Sequence, residues 1–273
     1  MSEDANRREL ARIAASVRAY LEWQEDTGAR GIPRGRGRSV AAATPSVEQT
    51  PSAEQTPSAP EKSAPAAAPV IRRSADTPLV RLQGLAAEVA VCTKCPLHKS
   101  RKKTVFFRGN PQAALCFVGE APGADEDDQG TPFVGRAGQL LDKMISAMGL
   151  RPELDVYICN IIKCRPPENR KPTSEETATC IPYLHEQLAL VSPKVIVGLG
   201  NTAAGALLDT KVGITKLRGQ WKLYKGTTLL MPTYHPSYLL RPSEQQAEAK
   251  KQAWEDLQAV MKELKLPMPT KKG

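Results

Sequence analysis

The chain has 273 residues, 41% of them hydrophobic, with 38 Lys and Arg residues against 29 Asp and Glu residues and a formal net charge of +9. A chain of this length can bury a real core in one or two domains. It contains no apolar run of 18 residues and no signal-peptide core near Met1, so we expect a soluble, cytoplasmic protein. In that compartment the six cysteines are expected to be reduced, metal-bound or catalytic rather than disulfide-bonded.

The N-terminal part of the chain differs in composition from the rest. Residues 1–26 carry apolar side chains at helical spacing, which predicts a short amphipathic helix. Residues 27–78 begin with arginines on glycine-rich backbone and continue as a Pro-, Ala- and Ser-rich stretch, which predicts a disordered linker. The sequence therefore predicts one folded domain at 79–266, followed by a short basic tail at 267–273.

The surplus of positive charge lies in the predicted folded part. Residues 1–78 carry 11 Lys and Arg against 10 Asp and Glu, whereas residues 79–273 carry 27 against 19. A basic folded surface suits a polyanionic partner such as nucleic acid, because phosphate contacts and counterion release dominate non-specific affinity. The alternative interpretation is a charge that only keeps the protein soluble.

Strand and helix patterns alternate from residue 79 onward. Short apolar runs predict strands, and apolar residues three or four positions apart predict helices. In chain order we predict a helix at 79–91, a strand at 114–119, a helix at 136–148, a strand at 156–160, a helix at 174–190 capped by Ser174, a strand at 195–199, a helix at 201–208, a strand at 228–231 and a helix at 243–264. This alternation predicts the α/β class: a three-layer α/β/α domain with a central, mostly parallel four-stranded sheet.

Binding sites in such domains lie beyond the carboxyl ends of the strands. The segments at these ends are 119–123, 160–163, 198–201 and 233–237. Three of the four carry polar groups suited to recognising a heterocycle. We therefore expect one site at this edge of the sheet, with Asn160 and His235 among its residues.

Four of the six cysteines have a spacing typical of metal ligands. Two form a C-x-x-C pair, one follows the strand at 156–160, and one lies in the next predicted helix; they are Cys92, Cys95, Cys164 and Cys180. Four thiolates can hold a zinc ion or an iron–sulfur cluster, and the spacing does not separate the two. Cys116 and Cys159 fall within predicted strands, so we expect them to be buried as small hydrophobic residues.

Five segments together resemble a known family. They are CTKCPL at 92–97, GEAPGADEDDQGTPFVGRAGQLL at 119–141, NIIKCRPPENRKP at 160–172, Cys180, and YHPSYLL at 234–240. Their content and order are similar to those of the family 4 uracil-DNA glycosylases, the iron–sulfur branch of the uracil-DNA glycosylase superfamily. The resemblance covers about residues 80–263. It implies that the four cysteines named above ligate a structural [4Fe-4S] cluster, for which a structural zinc ion is the alternative.

The resemblance also implies roles for the residues near the strand ends. Uracil must leave the DNA base stack before it can enter a pocket. Phe133 is expected to stack on the flipped base, with the loop backbone at Gly119 and Ala121 beside it. Asn160 is expected to pair with the N3–H and O4 edge of uracil and to reject cytosine. His235 is expected to stabilise the negative charge that develops on uracil O2.

The resemblance leaves the general base open. Other branches of the superfamily place a catalytic aspartate where this chain has Ala121. Glu120 and Glu126 are therefore the candidate catalytic carboxylates, and Glu120 is expected to orient the water or to block the C5 methyl group of thymine. The alternative for the acidic run at 125–128 is a solvated turn.

A third group of residues is expected to contact the DNA itself. Ser237 and the backbone of its loop are candidates for gripping a phosphate, as are the cations Lys163 and Arg165. Leu239 or Leu240 is expected to wedge into the gap that the flipped base leaves.

We therefore expect a monomeric, monofunctional uracil-DNA glycosylase that removes uracil from single- and double-stranded DNA, initiates base excision repair and has no lyase activity. Residues 1–38 are hypothesised to contact a replication or repair partner, and no membrane is involved. The alternative from another class is a non-catalytic nucleic-acid-binding module with a four-cysteine metal site. A third interpretation is an iron–sulfur enzyme acting on a free base or nucleotide.

Overall fold

The structure is a computed structural model that describes residues 77–268. The helix predicted at 1–26, nearly all of the predicted linker and most of the basic tail lie outside these residues. The first described helix begins at Pro78, next to the predicted start of the folded domain.

One six-stranded sheet forms the centre of the described part of the chain, in the spatial order β1-β3-β2-β4-β6-β5. The strands are β1 (Arg108–Gly109), β2 (Leu115–Gly119), β3 (Val156–Asn160), β4 (Val195–Leu199), β5 (Lys222–Tyr224) and β6 (Thr228–Thr233). The four central strands are parallel, and the two edge strands pair with them in the antiparallel direction. The predicted four-stranded, mostly parallel sheet is therefore confirmed as the centre of this larger sheet. The edge strands have only two and three residues, too few for an apolar pattern to predict them.

Eight α-helices accompany the sheet within residues 77–268. They are α1 (Pro78–Ala90), α2 (Ala124–Gln129), α3 (Arg136–Ala147), α4 (Ser174–Val191), α5 (Gly200–Leu208), α6 (Ile214–Leu217), α7 (Pro236–Leu239) and α8 (Gln246–Glu263). The five predicted helices correspond to α1, α3, α4, α5 and α8, whereas the short helices α2, α6 and α7 were not predicted. In the described residues, no helix combines the length and apolar character needed to cross a membrane.

The cap of α4 differs from the prediction. Thr173, not Ser174, precedes the helix: its hydroxyl accepts a hydrogen bond from the Glu176 amide at 3.1 Å. The Glu176 carboxylate in turn accepts one from the Thr173 amide at 2.8 Å. This reciprocal capping box satisfies two backbone donors that Ser174, one position later, could not reach in the same way.

The sheet separates two apolar clusters, because successive side chains of a strand point to opposite faces. In β2, Leu115 and Phe117 pack with α3 and α8 on one face. Cys116 and Val118 pack with α1, α4 and α5 on the other. The three-layer arrangement is therefore confirmed, and Cys116 and Cys159 are fully buried, as predicted.

Candidate active site

A cavity of about 570 Å³ lies at the carboxyl ends of the four parallel strands. Each strand end contributes a residue to its lining: Glu120 follows β2, Asn160 ends β3, Gly200 follows β4 and His235 lies just beyond β6. Residues 166–171, after β3, form another part of the wall. The fold thus brings together strand-end residues that are up to 115 positions apart in the sequence.

Asn160 and Phe133 line the inner part of this cavity, and Gly119 lies in very close contact with both. A methyl group built on Gly119 would lie 2.4 Å from Asn160 Oδ1 and 2.4 Å from Phe133 Cζ. A side chain at this position would therefore displace both neighbours. Asn160 is only 2% exposed, and its Oδ1 has no hydrogen-bond partner within the described residues. A buried polar atom without a partner is costly, and it marks the place where a ligand donor would fit.

The backbone of Phe133 has an unusual conformation that its surroundings hold in place. Its φ is 56°, in the left-handed region that aromatic residues rarely adopt. The chain at Phe133 lies directly against Gly138 of α3, where a methyl group would stand 1.8 Å from the Phe133 carbonyl oxygen. Arg108 Nη2 donates to that oxygen at 3.4 Å. The ring of Phe133 therefore has a fixed place, 5.8 Å between centroids from the ring of His235.

Glu126 lies in the first turn of α2 and binds the loop around it. Its Oε1 accepts hydrogen bonds from the amides of Val134 and Gly135, both at 2.9 Å, and its Oε2 accepts one from the Gly123 amide at 3.0 Å. Three backbone donors thus converge on one carboxylate. This arrangement joins the two ends of the loop that carries Phe133.

Glu120 and Ala121 line the same cavity and are half-buried. The Glu120 carboxylate accepts no hydrogen bond from the residues that the structure describes. The carboxylate of Glu120 is therefore available to a bound water or ligand, in contrast to that of Glu126.

His235 is held in one tautomer by the start of helix α7. The Ser237 amide donates to His235 Nδ1 at 3.1 Å, and the Ser237 hydroxyl lies 2.8 Å from the same nitrogen. Because an amide N–H can only donate, Nδ1 is an acceptor and the ring proton lies on Nε2. Burial, with the positive charge of Arg241 as the smaller cause, lowers the pKa of His235 to about 4. The imidazole is therefore neutral at physiological pH and presents an N–H donor.

The backbone around His235 depends on a close approach by Gly200. Gly200 has a φ of +84°, and a methyl group built on it would lie 2.8 Å from His235 Cβ. Only glycine meets both conditions without strain.

Two of the predicted DNA-contacting residues are placed differently by the structure. Lys163 is 1% exposed, and its Nζ donates to the backbone oxygen of Asn160 at 2.6 Å, so the prediction of a phosphate contact is wrong for this residue. Leu239 is fully buried in the cluster beneath α7, so it is not placed to enter a duplex. Leu240, by contrast, is 36% exposed. Arg165 is half-buried and donates to Asn169 Oδ1 at 2.8 Å.

Cations that were not predicted as site residues line the same cavity. They are Arg170 and Lys171, after β3, and Arg241, after α7. All three lie within or next to segments 160–172 and 234–240. Their positions near strand ends were the one feature of the sequence from which they could have been predicted as site residues. Of these, Arg170 also pairs with the Glu176 carboxylate at 2.7 and 2.8 Å.

The four predicted ligand cysteines surround a second, smaller cavity. Its lining includes Cys92, Cys95, Cys164 and Cys180. The cysteines come from three separate segments: the stretch after α1, the loop after β3, and helix α4. No three His, Cys, Asp or Glu side chains between residues 77 and 268 are grouped so as to hold a single metal ion.

The residues around this cavity fit an anionic, sulfur-ligated group. Arg101 Nη1 donates to Cys164 Sγ at 3.1 Å and to the Cys92 backbone oxygen at 2.8 Å. Lys163 lines the cavity as a second cation. Four soft thiol donors with two cations beside them suit thiolate ligation of zinc or iron.

The sequence of this chain is similar to those of a known superfamily. Residues 106–258, more than half of the chain, match the model of the Uracil DNA glycosylase superfamily. The type-4 uracil-DNA glycosylase of Thermotoga maritima is 51% identical over 154 residues, which cover 56% of this chain and 80% of that protein. The type-4 uracil-DNA glycosylase of Pyrobaculum aerophilum is 42% identical over 181 residues, covering 62% of this chain and 90% of that protein.

A type-5 uracil-DNA glycosylase of Pyrobaculum aerophilum is also related, at 30% identity over 179 residues, covering 54% of this chain and 79% of that protein. The similarity to the type-4 proteins is higher and extends over most of their length. The chain therefore belongs to the type-4 family of the uracil-DNA glycosylase superfamily.

Proposed function

We propose that this protein is a uracil-DNA glycosylase that hydrolyses the N-glycosidic bond of a flipped-out deoxyuridine in single- or double-stranded DNA and leaves an abasic site. The observation that carries the proposal is the buried, unpartnered Oδ1 of Asn160 beside the ring of Phe133. This pair offers one apolar face and one polar edge to a planar heterocycle. The family relationship supports uracil as that heterocycle.

Asn160 selects the base by hydrogen bonding. Its Oδ1 accepts from uracil N3–H, and its Nδ2 donates to O4. Cytosine has an unprotonated N3 and an amino group in these positions. The acceptor N3 would face the acceptor Oδ1 of Asn160, and the amino donor would face the donor Nδ2. A buried site that leaves such groups unpaired rejects the wrong base by a large factor.

His235 stabilises the leaving base. As the glycosidic bond breaks, negative charge builds on uracil O2, and the neutral imidazole donates its Nε2–H to that oxygen. The donor is already oriented, because Ser237 occupies Nδ1. Removing one such oriented donor typically costs about 3–4 kcal/mol of transition-state stabilisation.

The two candidate carboxylates have different roles in this proposal. Glu120 lines the cavity and orients the attacking water, or occupies the space that the thymine methyl group would need. Glu126 is engaged by three backbone amides, and its role is to hold the loop that carries Phe133. Water is the nucleophile, so the reaction involves no lysine adduct and no lyase step.

The rim of the cavity supplies the contacts to DNA. Arg170, Lys171 and Arg241 place positive charge where the phosphates beside a flipped nucleotide would lie, and such contacts fix the register of the DNA. Leu240, which directly precedes Arg241 of this rim, is an exposed apolar residue and fills the gap in the duplex.

The cysteine cavity would hold a [4Fe-4S] cluster, with Cys92, Cys95, Cys164 and Cys180 as its ligands. When bound, the cluster supplies a structural crosslink between three segments rather than a redox step. Lys163 lines this cavity and also donates to the backbone oxygen of Asn160, so the two sites are adjacent.

Single-turnover excision tests the proposal. The full-length protein is mixed with single- and double-stranded oligonucleotides that carry one uracil, thymine or cytosine, and abasic sites are cleaved with alkali. We expect release of uracil alone, with strand cleavage only after alkali. Asn160→Ala and His235→Ala should each slow excision by at least about tenfold, equal to about 1.4 kcal/mol. Binding without release from any oligonucleotide would instead support the non-catalytic module.

A further inference from the structure

One buried ion pair joins Arg218, which follows α6, to Asp256 on helix α8. Asp256, on α8, accepts hydrogen bonds from Arg218 Nη2 at 2.6 Å and from Arg218 Nε at 3.1 Å. The Thr233 hydroxyl also donates to the Asp256 carboxylate, at 2.7 Å. Thr233 is fully buried and Asp256 is 2% exposed. The last residue of β6 is thus fixed to α8 through a charged group.

The next residue, Tyr234, is held by the same group. The Arg218 guanidinium lies 5.6 Å from the centroid of the Tyr234 ring. The Tyr234 hydroxyl donates to Gln252 Oε1 at 3.1 Å, and Arg218 Nη2 donates to the Gln252 backbone oxygen at 2.7 Å. Both residues that directly precede His235 therefore share one anchor.

Arg218 also connects this anchor to another wall of the cavity. It directly follows α6, in which Ile214 and Thr215 line the same cavity as His235. The adjacent Gly219 has a φ of +72°, and a methyl group on it would lie 3.3 Å from Asp256 Oδ1. The ion pair thus fixes α6 and the His235 loop relative to each other.

Stability alone is a weak explanation for such an ion pair. Removing two charges from water is costly, and well-packed apolar residues often stabilise a core as much or more. The ion pair makes directional contacts that an apolar pair could not make. Asp256 accepts a hydrogen bond from the Thr233 hydroxyl, and the Arg218 guanidinium lies near the Tyr234 ring, so the pair fixes the position of the strand end.

We infer that Arg218 and Asp256 are positioning residues that hold Thr233 and Tyr234, and through them His235, at the place where its N–H meets the bound base. This inference rests on the proposed function. Displacement of a catalytic group by about 1 Å is enough to cost a factor of about 100 in rate.

Two substitutions test the inference in the full-length protein. Asp256→Asn weakens the ion pair. Thr233→Val removes only the hydroxyl and leaves both charges paired. The second variant therefore still tests the inference if the first fails to fold. We expect each to lower the single-turnover excision rate by at least about tenfold, with little change in affinity for uracil-containing DNA.

A double-mutant cycle separates positioning from general destabilisation. In a His235→Ala background the same substitutions should cause no further loss of rate, because the group that they position is already missing. Urea unfolding of each variant records stability independently. Equal losses with and without His235, or full activity of Thr233→Val, would overturn the inference.

A matched control lies at the other end of the sheet. Asp155 pairs with both Arg151 Nε and Nη2 at 2.8 Å, just before β3 begins. Asp155→Asn should keep the wild-type excision rate. If the wild-type protein releases no uracil, the proposed function itself falls; if it is active and the variants match it, only the inference falls.

Discussion

The Ser237 amide donates to Nδ1 of His235 at 3.1 Å, and this contact decides which form of the imidazole faces the cavity. The pKa of His235, lowered to about 4 by burial and by Arg241, has the same consequence. The folded protein holds this histidine neutral, with Nε2–H as a donor. The neutral form suits the proposed reaction. The bound uracil begins uncharged, and the Nε2–H donor is already in place when negative charge develops on its O2.

The pH dependence of excision follows from this value. Because the folded-state pKa lies below the ordinary value for histidine, the imidazole stays neutral as pH falls through 6.5 and takes up a proton only near pH 4. The stability that neutral His235 contributes is present above the unfolded-state pKa and is lost between pH 6.5 and 4. We expect the contribution of His235 to the single-turnover rate to be constant above about pH 5 and to change near pH 4.

His235→Gln is the control for this profile, since an amide keeps a donor but does not titrate in this range. Its rate should be lower than that of the wild type and should lack the change near pH 4. A wild-type change centred near pH 6.5 would contradict the lowered pKa of His235.

Gly119→Ala should damage the inner part of the cavity. The added methyl group would lie 2.4 Å from both Asn160 Oδ1 and Phe133 Cζ, so one of them must move. We expect at least about a tenfold loss of uracil excision, because small displacements of binding groups have large effects on rate. Gly84→Ala is the matched control: it lies in helix α1 with nothing within 4 Å of the added methyl group. It should keep the full rate and be more stable by about 0.5–1 kcal/mol. Full activity of Gly119→Ala would show that this contact does not shape the site.

Glu126→Gln should distinguish a loop-holding role from general-base catalysis. Glutamine offers one oxygen where the carboxylate uses two, and its NH₂ would face a backbone N–H. We expect a loss of about 1–3 kcal/mol in the free energy of unfolding. Inhibition by free uracil should weaken as well, because Phe133 loses its support, and the shape of the pH–rate profile should not change. A lost ionisation in that profile, with unchanged stability, would instead identify Glu126 as the base.

The two neighbouring leucines should behave differently. Leu240 is 36% exposed, so Leu240→Ala should reduce excision from double-stranded DNA by several-fold and leave single-stranded DNA nearly unaffected, since only a duplex has a gap to fill. Leu239 is fully buried, and Leu239→Ala should lower the free energy of unfolding by about 2–5 kcal/mol. Comparable losses on both DNA forms for Leu240→Ala would argue against a wedge.

Iron content tests the cysteine cavity directly. Cys180→Ala removes one of the four cavity thiols, so purified protein should lose bound iron and visible absorption, and should unfold at a lower temperature. Cys116→Ala is the control, because Cys116 is equally a cysteine but is buried in β2, away from the cavity. It should retain the iron. Zinc in place of iron in the wild-type protein would favour the alternative metal site.

Much of the fold could be predicted because it follows from local pattern. The central strands β3 and β4 have the predicted bounds, since each is a continuous apolar run that is buried on both faces. The strands β1 and β5 could not be predicted from their own residues. Each is so short that it is defined by its hydrogen bonds to the neighbouring strand, β3 or β6. The rule that sites lie at carboxyl strand ends was sufficient to bring Asn160 and His235 together.

The structure changed the interpretation of residues whose burial depends on distant contacts. Lys163 lies three positions after Asn160, and Leu239 lies two positions after Ser237. The residue types around each position do not indicate that its side chain is buried. Packing of the cysteine segments buries the first, and packing of α7 on the core buries the second. Likewise, the anchoring of Thr233 by Asp256 joins residues 23 positions apart on different elements.

The sequence by itself determined the α/β class, the order of the central elements and several of the polar groups that line the strand-end cavity, because strand and helix periods and residue chemistry are local properties. Only the tertiary structure decided which of two adjacent leucines is exposed, which carboxylate is engaged by backbone amides, and which nitrogen of His235 carries the proton. Those properties depend on solvent access and on hydrogen-bond partners supplied from elsewhere in the chain, and they exist only once the chain has folded.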